Sequence, residues 1–345
     1  MPQTPASSME SLRLIVKIMD EQNRKRKEFL KAAVKDVPIK DDVLKVLSGI
    51  GAWEAHEIMT CHPGHDLDGK INSLLKALET YQTCHADLVT RLDEFDVAAK
   101  DGTLFGRPRT AELREHVAAC RKEIFALSSA AAALEKMARH VRTNISILQF
   151  AERLGNDFDG GQHEFIKQLR NNLNHVTFLE ADWSIKNMGP AQTSHFEFRA
   201  AELLRDGDFK THAKAYLQDQ REPIDVRNLF DSYRKSIERF YAWLLPEIQA
   251  QLPIEVQDYR ECIRERRARL TRSWYQILFT QLVTLETDLY SHLPEYLTPK
   301  ELEEIRALPH RSRQQIDRLV EIVDEYGACD DELRGLVYRA FGAVV

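Results

Sequence analysis

Apolar residues recur along this chain at intervals of three and four. Leu67, Ile71, Leu74, Leu78, Tyr81, Leu88, Leu92 and Phe95 form one such set, and Leu113, Val117, Cys120, Ile124, Leu127, Leu134 and Val141 a second. A third is Val226, Leu229, Phe230, Tyr233, Ile237, Phe240, Tyr241, Leu244 and Leu245, and a fourth is Leu278, Leu282, Leu285, Leu289 and Leu293. At 3.6 residues per turn each set falls on one face of a helix, and that face needs a partner to bury it. Heptad spacing is also the signature of coiled coils, but short connections between the sets favour an antiparallel bundle. A single short piece, residues 194–199, alternates instead, with Phe196 and Phe198 between polar neighbours, and predicts a strand. The expected fold class is all-α: a multi-helix bundle whose centre is flanked by N- and C-terminal helical regions.

Proline and glycine mark where the helices should stop. Breaks are expected at Val37-Pro38, Cys61-His62-Pro63-Gly64, Asp101-Gly102 through Pro108, Asp159-Gly160-Gly161, Gly189-Pro190, Asp206-Gly207-Asp208 and Glu222-Pro223. Later ones are expected at Pro246, Pro253, Pro294, Pro299 and Pro309. Thr298-Pro299-Lys300-Glu301 reads as an N-cap followed by proline at the first helical position. These breaks suggest three parts: an N-terminal helical region (1–105), a central bundle (106–250) and a C-terminal helical region (251–345).

Composition narrows the class. With 43% hydrophobic residues in 345, the chain can build a sizeable core. No run of eighteen apolar residues is present, so no membrane partner is expected, and residues 1–11 lack the pattern of a secretory signal. Five scattered cysteines, an odd number, fit a reducing compartment better than a disulfide framework, so a cytoplasmic location is expected. The net charge of −6 is not that of a chain coated in nucleic acid, although a local basic patch could still hold RNA.

The sharpest chemical signal is Arg170-Asn171-Asn172-Leu173-Asn174-His175, which follows an amphipathic run (163–169) and precedes a loop-like stretch (180–190). Arginine, a small polar residue, three free positions and histidine resemble the signature of the HEPN superfamily, named for higher eukaryotes and prokaryotes nucleotide binding. The context is similar too: a long helix before the motif (about 111–142), a charged irregular stretch after it, and a closing helix with Phe240-Tyr241-Ala242-Trp243-Leu244. The resemblance covers roughly 106–250. It implies a helical bundle that dimerises and cleaves RNA without a metal or other cofactor, at a site where two copies of the motif meet. Membership of a toxin–antitoxin or phage-defence system would follow, with an antitoxin protein as a further partner.

The residue types suit that reaction. Attack by the RNA's own 2′-hydroxyl requires a base for its proton and an acid for the leaving oxygen, and histidine titrates where it can serve as either. A guanidinium stabilises the added negative charge of the phosphorane through paired hydrogen bonds. The resemblance thus gives His175 the acid–base role and Arg170 the charge-stabilising role. Asn171 and His175 stand four apart, on one helical face, so Asn171 is expected to position the imidazole. Arg170 and His175 stand five apart, about 140° around an ideal helix, so a helix end, a long side chain or a second subunit must bring them together. A non-catalytic HEPN-like bundle that binds a partner protein or nucleotide is the alternative reading, and an unrelated helical adaptor a third.

Other groupings are weaker. Arg260, Arg264, Arg266, Arg267, Arg269 and Arg272 form a basic run beside Trp274 and Tyr275, from which Arg264 and Arg267, together with Lys167, are candidate RNA contacts. Glu261 and Glu265 dilute the run, and a solvated helix face explains it as well. His56, Cys61, His62 and His65 are metal-ligand types, but their spacing matches no standard zinc pattern, so no metal site is expected and a helix end followed by a turn is the plainer reading. No phosphate-cradling glycine loop and no nucleophile elbow occurs.

Overall fold

A computed structural model describes residues 5–158, 160–175, 181–186, 193–220, 223–285 and 288–343; the side chains at 5–13, 15, 172–175, 181–182, 185–186 and 206 lie outside the description. The chain is mostly helical, with a small three-stranded antiparallel sheet. In chain order the first helices are α1 (Pro5–Ala33), α2 (Asp41–Gly49), α3 (Ala52–Met59), α4 (His65–Ala99), α5 (Thr110–Arg142), α6 (Phe150–Asp157) and α7 (Gly160–His175). Strands β1 (Ala181–Lys186) and β2 (Thr193–Phe198) follow, then α8 (Ala200–Asp206), α9 (Thr211–Asp219) and β3 (Ile224–Asp225). The remainder is α10 (Val226–Ala250), α11 (Ile254–Leu285), α12 (Leu293–Tyr296), α13 (Pro299–Arg306), α14 (Arg313–Val323) and α15 (Asp331–Ala340). Among the described residues no helix is long and apolar enough to cross a membrane.

The chain divides into two compact units, and they do not follow the three-part division expected at 105 and 250. One unit joins residues 1–66 to 254–345, and the other is 67–253. The reason lies in α2 and α11. Val43, Leu44 and Leu47 of α2 are buried in one cluster with Tyr259 and Cys262 of α11 and Ile58 and Met59 of α3, so the two ends of the sequence share a core. Further along, Ile316, Leu319, Leu333 and Val337 close a second cluster with Ile305.

In the 67–253 unit the helical faces read from the sequence are the buried faces. Tyr81, Leu88 and Phe95 of α4, Ile124, Leu127 and Leu134 of α5, and Leu229, Tyr233, Phe240 and Leu244 of α10 are all almost fully buried. Two polar groups are satisfied inside this core: the Tyr241 hydroxyl donates to the Leu134 carbonyl at 3.1 Å, and a ring nitrogen of His85 lies 3.0 Å from Asp231 Oδ1. α5 packs on α7, α7 on α9, and α6 on α10.

Three expectations need correction. The stretch around 180–190 is not all loop, because Ala181–Lys186 pairs antiparallel with β2, Trp183 opposite Phe196. Trp183 stacks on Phe95 of α4, and Ala181, Trp183 and Ile185 alternate with Asp182, Ser184 and Lys186, a strand pattern that the loop reading passed over. Pro246 does not end α10, which runs on to Ala250; it lies in the last turn and a half, where Leu244 and Ile248 are both buried. The set from Leu278 to Leu293 is not one helix, since α11 ends at Leu285 with that side chain 66% exposed, while Leu293 belongs to α12. The strand over 194–199 is present as β2, and Thr298 does cap α13. Its side chain accepts from the Glu301 N–H, and the Glu301 carboxylate accepts from the Thr298 N–H at 2.8 Å.

Candidate functional site

α7 carries the Arg170–His175 motif in its last turn and a half. Phe165, Ile166 and Leu169, spaced for one helical face, are fully buried and fix the helix to the core. On the flank toward α5, Glu135 gathers three cationic or polar partners. Lys167 Nζ lies 2.7 Å and Arg139 Nη2 2.7 Å from its carboxylate, and His163 Nε2 lies 3.2 Å from it. His163 Nδ1 lies 2.6 Å from the Tyr233 hydroxyl of α10, so the imidazole bridges α5, α7 and α10. His163, with Lys167 and Arg139, holds the Glu135 carboxyl far below its ordinary range, against burial, which would raise it. Burial by itself would lower the Lys167 ammonium, but Glu135 and Glu164 together raise it above its ordinary value. This network clamps the helix one turn before Arg170.

Arg170 itself is held differently. Its Nε and Nη2 donate to Asn171 Oδ1 at 3.2 and 3.1 Å, and among the described residues no carboxylate pairs with it. Its side chain is half-buried and Asn171 is exposed. His175 is the last residue of α7; its imidazole, with the side chains of Asn172, Leu173 and Asn174, lies outside the described side chains. Asn171 thus steadies Arg170, and its expected role toward His175 concerns a ring beyond the description.

The other candidate RNA contacts are engaged by this chain's own groups. Lys167 is held by Glu135 and Glu164, the latter at 2.8 Å. Arg264 pairs with Glu261 one turn earlier, and Arg267 lies over the Tyr326 ring with its Nη1 3.4 Å from the hydroxyl. Arg269 reaches Asp41, Arg272 reaches Asp330 and Glu332, and Arg266 donates to the Leu47 and Ile50 carbonyls at the end of α2. Arg264 and Arg267 belong to the unit formed by the two chain ends, and Lys167 to the 67–253 unit.

The His56–His65 segment is a helix end and a turn between α3 and α4. His62, buried, accepts the Gly64 N–H at Nδ1 (3.0 Å) and places Nε2 3.1 Å from Asp258 Oδ2, so both ring nitrogens are structural. Position 64 requires glycine because the α11 backbone comes close to it: a Cβ there would lie 2.1 Å from the Glu255 carbonyl oxygen.

A grouping invisible to spacing lies on the sheet. His195 and Glu197, two apart on β2, share one face, and Asp225 of β3 stands directly opposite Glu197. His195 Nδ1 is 2.7 Å from Asp225 Oδ2, and one ligand atom from each of the three residues lies within 4.8 Å of the others. Beside them opens a cleft of about 260 Å³ whose walls include Asp93, Asp96, Trp183, His195, Asp225 and Arg227. Burial alone would raise the Asp96 carboxyl, but the N–H and hydroxyl of Ser194 donate to it and, with Lys100, hold it below its ordinary value. The only sequence signal was the alternation that places His195 and Glu197 on one strand face. Compared with known proteins, the chain matches no family model, no curated protein and no solved structure.

Proposed function

We propose that the 67–253 unit is a metal-independent endoribonuclease of HEPN type, acting as a homodimer and serving as a toxin or phage-defence effector with an antitoxin partner. The observation that carries this reading is Arg170, a guanidinium at a helix end whose described partner is a neutral carboxamide rather than a carboxylate. Such a group keeps its charge available for a phosphate, whereas a neutralised arginine does not. The Glu135 network supports it by fixing the helix that presents the motif, and the helices α5, α7 and α10 supply the bundle that the resemblance implies. Arg170 would stabilise the phosphorane, His175 would transfer protons to and from the ribose and leaving oxygens, and Asn171 would position its neighbours.

The deciding experiment is cleavage of single-stranded RNA by the purified chain in EDTA. Products should carry a 2′,3′-cyclic phosphate and a 5′-hydroxyl, and DNA, which lacks the attacking hydroxyl, should survive. His175→Ala should lower the rate by about 10²–10⁴-fold. A His175→Ala protein as active as its parent, or activity lost to the chelator, would sink the reading. Engagement of Arg264, Arg266, Arg267, Arg269 and Arg272 within the chain favours the second reading, a non-catalytic bundle that binds a partner protein or nucleotide. That reading takes over if neither parent nor variant cuts RNA.

A further inference from the structure

We propose that His195, Glu197 and Asp225 form a binding site for a divalent transition-metal cation of the zinc class, opening on the cleft beside β2. Three independent features of the sheet point to it.

The first is the register. Glu197 and Asp225 are directly opposite each other across the antiparallel β2–β3 pair, and Glu197 is 92% buried at 8% exposure. Two carboxylates facing each other across a ladder repel, and the His195 imidazole already stands 2.7 Å from Asp225 Oδ2 beside them. A cation between them reverses the sign of that interaction.

The second is the donor set and its support. One imidazole nitrogen and two carboxylate oxygens suit zinc and its neighbours, whereas magnesium favours oxygen ligands and retained water. Zinc bonds to nitrogen and oxygen ligands of about 2.0–2.2 Å place tetrahedral ligands roughly 3.3–3.5 Å apart. The observed atoms, 2.7 Å apart for His195 and Asp225 and all within 4.8 Å, need only small side-chain shifts to reach that spacing. The groups that would orient the ligands are already in place. His195 Nε2 lies 3.2 Å from Thr193 Oγ1 and Asp225 Oδ1 accepts the Asn228 N–H at 2.8 Å as the N-cap of α10, so the cation would take the place of the proton that Nδ1 and Oδ2 share.

The third is the cleft. Its walls carry three carboxylates, Asp93, Asp96 and Asp225, against one guanidinium, Arg227, which itself pairs with Asp93 at 2.6 Å. With Asp93 held by Arg227 and Asp96 by Ser194 and Lys100, Asp225 is the wall carboxylate that faces His195. Three protein ligands leave a fourth position, and His195 and Asp225 line the cleft, so that position faces open space and would hold water.

The test is direct binding, so its outcome is separable from that of RNA cleavage. The full chain is stripped with a chelator, exchanged into buffer and titrated calorimetrically with zinc chloride, with magnesium chloride as the control. One zinc per chain, bound more tightly than magnesium, is expected. His195→Ala and Glu197→Gln should each weaken zinc by more than the roughly 10–100-fold typical of losing an outer-shell partner, while Thr193→Val should fall near the lower end of that range. Asp225→Asn keeps the helix cap and should still weaken binding. A His56→Ala/His65→Ala double variant should bind zinc as the parent does. Cobalt loaded into the unaltered chain should give ligand-field bands without a thiolate charge-transfer band, a readout that does not depend on any variant folding. Absence of zinc binding, zinc affinity unchanged in a folded His195→Ala protein, or a thiolate band from cobalt would each overturn the proposal.

Discussion

On α7, Arg170 reaches the carboxamide of its neighbour Asn171 and, among the described residues, no carboxylate; on α11, the arginines from 264 to 272 are held by carboxylates, a tyrosine ring or backbone carbonyls of the same chain. The denser basic run is thus engaged within the chain, whereas the described partner of Arg170 is an uncharged carboxamide. Arg266 shows why density misleads. Its guanidinium caps the last turn of α2 through the Leu47 and Ile50 carbonyls, and burial lowers its pKa from the usual value. It is a structural cation that joins the two ends of the sequence.

The largest effect that would sharpen this contrast is on RNA cleavage. Arg170→Ala should lower the rate by about 10²–10³-fold, the usual loss for one donor to a developing anion. The Arg264→Ala/Arg267→Ala double variant should cleave as the parent does. If instead the α11 variant loses activity and Arg170→Ala does not, the assignment of the two helices is reversed. Gel-resolved initial rates decide between them.

Next in size is the clamp beneath the motif. Glu135→Gln leaves His163, Lys167 and Arg139 facing a neutral group, and should destabilise the 67–253 unit by about 3 kcal/mol, the range for breaking a largely buried ion pair. Because the native Glu135 pKa is depressed, the unfolded chain binds the proton more tightly. Its contribution is therefore present above the ordinary value of 4.5 and is lost as pH falls toward the depressed native value. Urea unfolding from pH 7 down to pH 3 should show the parent losing stability faster than Glu135→Gln; parallel curves would show that the carboxylate is not coupled to folding.

A smaller loss is expected for Arg266→Ala, about 1–2 kcal/mol for two charge-assisted bonds to carbonyls, read as a lower urea midpoint for the unit formed by the chain ends. Arg264→Ala should change that midpoint least, because its i,i+3 pair with Glu261 is exposed and screened by solvent and salt. Equal losses for these two substitutions would remove the distinction between a half-buried cap and a surface pair.

Much of the fold was legible in the chain. The apolar spacing in Leu67–Phe95 and Val226–Leu245 names faces that are buried, and Thr298-Pro299-Lys300-Glu301 spells a capping box that forms. β1 was legible too, in the alternation of Ala181, Trp183 and Ile185 with Asp182, Ser184 and Lys186, but so short a run reads as loop until β2 and Phe95 pair with it. At the candidate site, sequence reading gave Asn171 a role toward His175, whereas the described contact of Asn171 is with Arg170 beside it. In the His56–His65 grouping, close in sequence, His62 is engaged by the Gly64 N–H and Asp258, while His195, Glu197 and Asp225, spread over thirty-one positions, lie side by side.

Sequence by itself determined the periodic helices of the 67–253 unit, their buried faces, the Thr298 cap and the order of residues in the Arg170–His175 motif, because each depends on contacts within a few residues of chain. Only the tertiary structure decided which helices share a core, which arginines are neutralised and which carboxylates face each other across the sheet. Those depend on residues that the chain separates by tens to hundreds of positions, such as Leu47 and Arg266 or Glu197 and Asp225, and no local periodicity carries that distance.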